Sequence, residues 1–566
     1  MKTFRTLFFL ILVLPLSGNA QTISGVLDTL AMLMPSSVAM GSGTLQQELK
    51  IDDANPCRIH LRSIETDSKG RMHVEDFYFH AADIDKEAVK SQSSRKSSTV
   101  EVEMAGRQPL IEHYKDQIPQ DYTRSISFLA KDSKNAGQIE YQLKKLQGLC
   151  EADFKANQNY ESEELDPLLD WMVENTRDVV SINGSITQVM TRKALETGEG
   201  IVLTRTSTNA KGETLSEVFS VNAGDLDGAA ASLEIKGRII DILVPVIAKQ
   251  RYVYVKGSAG SVAFNQDLRI QVNTIEDGRS YLNVLALMTP MARELMQTRI
   301  KSLGDKTNAL SKLQAKQLRF EEQSGSTQVK LSGDCLASWK IERKPEKGSG
   351  QTETYKVFLQ DLEKAELVVT ASTVVVQLET IDRLRYVEVL ENGERQSFTN
   401  RFSLPVSDIE TGKIVQYLIE KALAGCRTET PKVPGDKPTE LMAFLRSQSG
   451  KKEGSSGAVN QSFTSVEADK PCMLRITQVK EAGRGGGEMV YELDLSDINP
   501  ESVRLDINGK TIAVDFDTRR KETLIKAIKD GEPQGFESGL RVWAKDLEQA
   551  RVMAYTIQSM AVGCSE

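Results

Sequence analysis

"EADKPCMLRIT" (467–477) places a Pro-Cys pair ahead of an alternating run, and "DDANPCRIHLR" (52–62) places the same pair far upstream. A polar turn closed by proline and followed by alternation is the signature of a turn feeding a strand. One chain that makes this local move twice is expected to be a repeat, and the repeat is fourfold. "FYFHAADI" (77–84), "FSVNAGDL" (219–226), "YKVFLQDL" (355–362) and "YELDLSDI" (491–498) share an alternating strand with an acid near its end. Their acids, Asp83, Asp225, Asp361 and Asp497, are spaced by 142, 136 and 136 residues, longer than a solenoid unit and about the size of a small domain. Four tandem globular modules follow. The simplest role for each recurring acid is local, a carboxylate accepting backbone N–H groups in an Asx turn.

A second recurrence marks where modules close. "ISFLAKDSKNA" (126–136), "LRIQVNTIEDG" (268–278), "FSLPVSDIETG" (402–412) and "LRVWAKDLEQA" (540–550) each run from alternation into Asp132, Thr274, Asp408 or Asp546 and then into a helical pattern. Short oxygen-bearing side chains at that point are helix N-caps, because they accept from the free N–H groups of the first turn.

The cysteines fit this frame. Cys150, Cys426 and Cys564 end three closing helices, each nine residues after a tyrosine (Tyr141, Tyr417, Tyr555), and Cys57, Cys335 and Cys472 precede them by 93, 91 and 92 residues. Six cysteines allow 15 pairings, but this spacing selects Cys57–Cys150, Cys335–Cys426 and Cys472–Cys564. In the second module the same spacing falls on Gly200 and Ala292, so that module is expected to lack the bond.

The fold class is mainly β with flanking helices (α+β). The fourth copy sets the plan: a short helix at "TELMAFLRS", about seven antiparallel strands forming a sheet or barrel, and a closing helix from Leu547 to Cys564. In element order alone this resembles the pleckstrin-homology type of superfold. Such folds host binding, assembly and occasional catalysis, so the resemblance leaves function open. The expected division is a signal peptide at 1–20, module 1 at 21–151, module 2 at 165–300, module 3 at 305–427, a proline-rich linker at 428–440 and module 4 at 438–566.

Met1–Ala20 has a basic start, an apolar run from Leu7 to Leu16, and Gly18 and Ala20 at the small-residue positions of a signal-peptidase site. Cleavage after Ala20 and a secreted or periplasmic destination are expected, a compartment in which disulfides form. No later run reaches the ~18 apolar residues of a spanning helix. From residue 21 onward, 69 basic against 79 acidic residues give a formal charge of −10 with no long basic block, which argues against nucleic acid or an anionic membrane surface as partner.

Candidate chemistry is sparse. All four histidines, His60, His73, His80 and His113, lie in module 1, so histidine-based hydrolysis could exist only there. His60 and His73 fall on adjacent strands of a hairpin with Glu75 nearby, a weak zinc or copper candidate; one step of register would separate them. "GRGGGE" (483–488) lacks the Lys-Ser/Thr and helix of a phosphate loop and suits a hairpin turn. No cofactor is implied. The sequence favours a non-catalytic binding or assembly protein whose partner is an unknown protein or envelope component. The alternatives are a carrier with an apolar pocket between sheet and closing helix, and a hydrolase confined to module 1.

Overall fold

Short turns between alternating runs force neighbours in sequence to pair antiparallel, and that is what each module does. The computed structural model describes residues 22–40, 43–52, 55–93, 97–157, 162, 164–181, 184–258, 260–322, 325–427, 435, 437–454, 457–467, 470–480 and 487–565. The expected signal peptide, most of the 428–440 linker and residues 483–486 of the glycine-rich turn lie outside them. Among the described residues, module 4 holds a six-stranded sheet in the order Gly450–Gly454, Gly457–Ser465, Met473–Lys480, Gly487–Asp494, Ile525–Lys529 and Glu532–Glu537. A three-stranded sheet, Arg504–Asn508, Thr511–Asp517 and Gly539–Ala544, completes it, and the other three modules repeat this pair of sheets.

The plan of about seven strands is thus short by two. The additional strands, GKKEG and EPQGFE, form the two edges of the larger sheet. Edges are kept charged and broken by glycine or proline, so they carry no alternation to announce them. Lys480 pairs with Gly487, as a hairpin across "GRGGGE" requires.

A buried amide links the two sheets. Gln461 accepts from the Trp543 N–H (3.0 Å) and donates to its carbonyl (3.2 Å). Gln188 does the same with Gln271 (3.1 and 2.9 Å), and Gln47 bonds the Leu129 N–H (2.7 Å) and the Ser127 carbonyl (2.8 Å). A primary amide carries a donor and an acceptor on separate atoms, which suits it to the N–H and C=O of one residue on a neighbouring strand.

The closing helices start where the sequence places them. Asp132, Asp408 and Asp546 each accept a backbone N–H three residues on at 2.8 Å, and Thr274 does so at 3.1 Å. The tyrosines on these helices are not the uniform packing residues their recurrence suggests: Tyr141 is 63% exposed, whereas the Tyr417 hydroxyl bonds the carbonyls of Lys301 and Gly304. Cys57–Cys150, Cys335–Cys426 and Cys472–Cys564 are bonded, with Cα separations of 5.6, 5.5 and 5.8 Å. Each ties a strand entry to its module's closing helix, at or just past the helix end in modules 3 and 4 but inside it in module 1, where the helix runs on from Cys150 to Asn157.

Module 2 solves the same junction differently. Register pairs Gly200 with Asn222, just as Arg58 pairs with His80 and Met473 with Asp494. The position of the strand cysteine therefore belongs to Glu199, one residue before the Gly200 that spacing selects. In place of a bond the helix Ile275–Ser302 approaches the turns beneath it: a Cβ on Gly224 would sit 2.9 Å from the Ala292 carbonyl oxygen, and one on Gly228 2.1 Å from that of Leu285. The Gly228 N–H donates to Thr289 Oγ1 (3.2 Å). "IIDILVPVIA" supplies the strand Ile239–Pro245, whose Ile240, Ile242 and Val244 are fully buried.

The chain divides into two compact units, Met1–Ala194 with Glu199–Arg293, and Leu195–Gly198 with Glu294–Glu566. In the first, one apolar cluster runs through modules 1 and 2 without interruption. In the second, the core of module 4 includes Phe398 of module 3. No helix among the described residues is long and apolar enough to cross a membrane.

Two outcomes follow. Each disulfide closes a loop of more than ninety residues, for which chain entropy gives roughly 4 to 5 kcal/mol. Hydrogen exchange on the intact chain with and without reductant should speed exchange in modules 1, 3 and 4 and leave residues 199–292 nearly unchanged. Conversely, Gly228→Ala should loosen module 2 selectively, because its methyl meets backbone that cannot rotate away; faster exchange confined to that module is the expected reading.

Candidate functional site

The histidines of module 1 do not converge. His60 lies opposite Tyr78 and His73 opposite Glu65, so strand alternation puts His60 on one face of the sheet and His73 with Glu75 on the other. His60 stacks on Tyr78 (4.2 Å) and bonds Asp76 (2.7 Å), while His73 Nδ1 is 3.3 Å from Asp116. Glu75 lies 3.8 Å from both His113 and Lys115. Burial, reinforced by the charge of Arg279, pushes His80 down to about 4, and its neutral ring accepts the Ala82 N–H. No group of three or more His, Cys, Asp or Glu side chains able to hold a metal converges among the described residues. His73 and Glu75 do line a cavity of about 350 Å³, bounded by the larger sheet and by residues 125–127 of the smaller one, with no residue of the closing helix in its wall. Under the helix of module 1, Ile139, Leu143 and Leu146 fill the space.

The recurring acids stand elsewhere than expected. In module 3 the residue three positions earlier is Phe358, whose side chain accepts nothing; in modules 1, 2 and 4 that residue accepts the N–H group of the turn, where His80, Asn222 and Asp494 bond Ala82, Gly224 and Ser496. That frees the acid itself. Asp83 forms an ion pair with Arg279, from the closing helix of module 2, and Asp361 forms one with Arg551, from the closing helix of module 4. Arg279 and Arg551 hold the same position, five residues after Thr274 and Asp546. Arg279 also lies over Phe154 (5.6 Å) and Arg551 over Phe358 (4.5 Å), which adds a cation–π attraction to each pair. Arg279 and Asp361 are 9% and 7% exposed. Burial pushes both guanidinium groups down to about 10, so they stay charged at neutral pH and need the carboxylates opposite.

Each junction has a second contact, made by a hairpin turn. Gly237 and Gly509 take positive φ (61° and 60°) at the first central position of two-residue turns, the conformation a type II′ hairpin asks of glycine. The Gly237 carbonyl accepts from the Tyr122 N–H (3.3 Å), and the Gly509 carbonyl from the Phe398 N–H (3.1 Å). Arg238 follows with a bond to the Gln120 carbonyl (2.7 Å), and Arg395 bonds that of Lys545 (3.1 Å). Modules 2 and 4 therefore each present an arginine and a glycine turn, and modules 1 and 3 each present an acid and an aromatic residue.

Sequence reasoning located the acids and missed their partners. The signal was present: five residues after the four caps stand Gly137, Arg279, Lys413 and Arg551, a basic residue in every module but the first. Lys413 is likewise buried and bonds Glu410 (2.8 Å). Helix patterning treats such a cation as solvated, and only packing reveals that it is not. No family model, no curated protein and no solved structure matches the chain.

Removing one partner of a buried ion pair strands the other, at a cost on the order of 3 to 5 kcal/mol. Arg551→Ala should therefore lower the denaturation midpoint of modules 3 and 4 markedly. Asp361→Ala together with Arg551→Ala should cost clearly less than the two single changes summed. Additive losses in equilibrium unfolding would show that the pair carries no coupling.

Proposed function

We propose that this chain is a secreted or periplasmic, non-catalytic binding and assembly protein built from four modules. The observation that carries this reading is the repeated junction: the same acid, arginine, aromatic residue and glycine turn join module 1 to module 2 and module 3 to module 4. Two of the four recurring acids, Asp83 and Asp361, are spent on docking one module to the next, and a scaffold is the activity such surfaces serve. Three within-module disulfides suit an oxidising compartment, and the export segment ending at Ala20 would deliver the chain there. The apolar side chains packed beneath the closing helix of module 1 weigh against the carrier alternative there. The scattered partners of the histidines weigh against a hydrolase in module 1.

The test is recovery of the tagged chain from the envelope or medium of its own cells under oxidising conditions. A mature N-terminus at Gln21, and one protein co-purifying in fixed proportion, are expected. A chain found reduced in the cytosol, or accompanied only by a small molecule, would refute the proposal.

A further inference from the structure

The junction has a third copy of its acceptor side, and that copy is uncovered. Positions can be matched by a shared bond: the carbonyls of Arg124, Asn400 and Ser538 accept the N–H groups of Met104, Thr380 and Thr518 at 2.8–2.9 Å. Two residues before them stand Tyr122, Phe398 and Phe536. Tyr122 is half-buried and Phe398 is 3% exposed within the core of the module that docks on it, whereas Phe536 is 60% exposed. Leu110, 7% exposed and lining the junction beside Arg279, corresponds to Leu524, which is 39% exposed. The acid of this face is Asp497. It is half-buried, and no hydrogen bond or ion pair reaches its carboxylate among the described residues.

The neighbourhood is arranged to want a cation there. Burial, Asp494 and Glu522 push the Asp497 carboxyl upward, and the charge of Arg519 offsets them only in part, so a further positive charge would still be favoured there. Arg519 is near but forms no ion pair with Asp497; its guanidinium points to the Ser496 carbonyl (3.0 Å) and the Ser565 hydroxyl (2.7 Å). Two features differ from the covered faces: Arg519 stands where modules 1 and 3 have Ala105 and Ile381, and a lysine replaces a glutamate. Lys526 stands where modules 1 and 3 have Glu112 and Glu388, and it is held by Glu492 (3.1 Å).

We propose that Asp497, Leu524 and Phe536 form a docking surface for a separate protein, which sets an arginine from the opening turns of a helix against Asp497 and covers Phe536 with apolar surface. This rests on the assembly reading and adds to it a face and the chemistry of the partner. The occupant is not a second copy of this chain: Arg279 and Arg551 are engaged within their own module pairs, and module 1 offers Gly137 at that position. Opposite Lys526 the partner carries a neutral or acidic residue, unlike the arginine that module 2 brings to Glu112.

The experiment places a photo-reactive amino acid at Phe536 in the full chain and, separately, at exposed Val189 as a control, in cells that make the protein. Expected is a cross-link from 536 alone to a different polypeptide, mapping beside an arginine near a helix start. Binding of that polypeptide should fall by about tenfold or more in Asp497→Arg and in Phe536→Ser, with the thermal melt and disulfides of both variants unchanged. Changing the partner's arginine to aspartate should restore binding to the Asp497→Arg chain. The inference is overturned if position 536 cross-links a second copy, if Asp497→Arg binds as well as the parent chain, or if a stoichiometric partner is captured only from other faces. In the last case the assembly reading survives. Capture of no partner from any face removes both.

Discussion

A carboxylate buried at the end of a strand has to meet a cation, and in this chain the cation comes from the next domain. Asp83 sits on a tight turn whose N–H group His80 already accepts, and Asp361 sits on the equivalent turn of module 3, where the Phe358 side chain offers no acceptor; both acids are turned to an arginine instead. Left bare in a half-dry crevice, each would carry a desolvation cost of several kcal/mol. Arg279 and Arg551 remove that cost only when the second module is seated. Correct docking is thereby coupled to the burial of charge, and a misplaced neighbour leaves two ions stranded.

The modules are homologous in plan but not in role. The glycine turns that dock, Gly237 and Gly509, belong to modules 2 and 4, whereas the corresponding hairpin of module 3 turns through Thr370–Thr373 without glycine. Glu112 and Glu388 mark modules 1 and 3. A repeat of two, superimposed on the repeat of four, is what these differences describe. Module 2 departs further, because close approach of glycine to helix backbone replaces the disulfide. Such an approach tolerates no added methyl, whereas a covalent staple tolerates some looseness around it, so the two solutions trade sensitivity to sequence for sensitivity to reduction.

Much of this was legible in the residues. Strand alternation, helix caps and cysteine spacing are local or nearly so, and they yielded the module plan and all three disulfides. What escaped had no local mark. The edge strands lack alternation because an edge is protected by charge and glycine, not by pattern. The alignment of Gly200 slipped by one residue because register is set by pairing across the sheet, and Asn222 fixes it. His60 and His73 looked adjacent for the same reason and are on opposite faces. The inter-sheet glutamines were invisible because a polar residue in a strand reads as solvent-facing until the second sheet covers it. The module-to-module site was half visible: the acids recur in plain view, but each partner arginine lies about two hundred residues away, at 279 for Asp83 and 551 for Asp361.

The junction also gives the chain a direction. The ion pairs of Asp83 and Asp361 both send an arginine backward, from a later helix to an earlier acid, whereas Arg395 reaches forward only to the backbone carbonyl of Lys545. Gly137 makes the first module unable to send such a charge, with open space around the position where a side chain would stand. Asp497 makes the fourth able to receive one. An array of identical, unpolarised domains would have either both capacities at each end or neither, and would be prone to head-to-tail self-association. Module 1 carries Gly137 where modules 2 and 4 carry the docking arginine, and module 4 leaves Phe536 exposed where module 3 buries Phe398, so no module presents the same pair of faces as its neighbour.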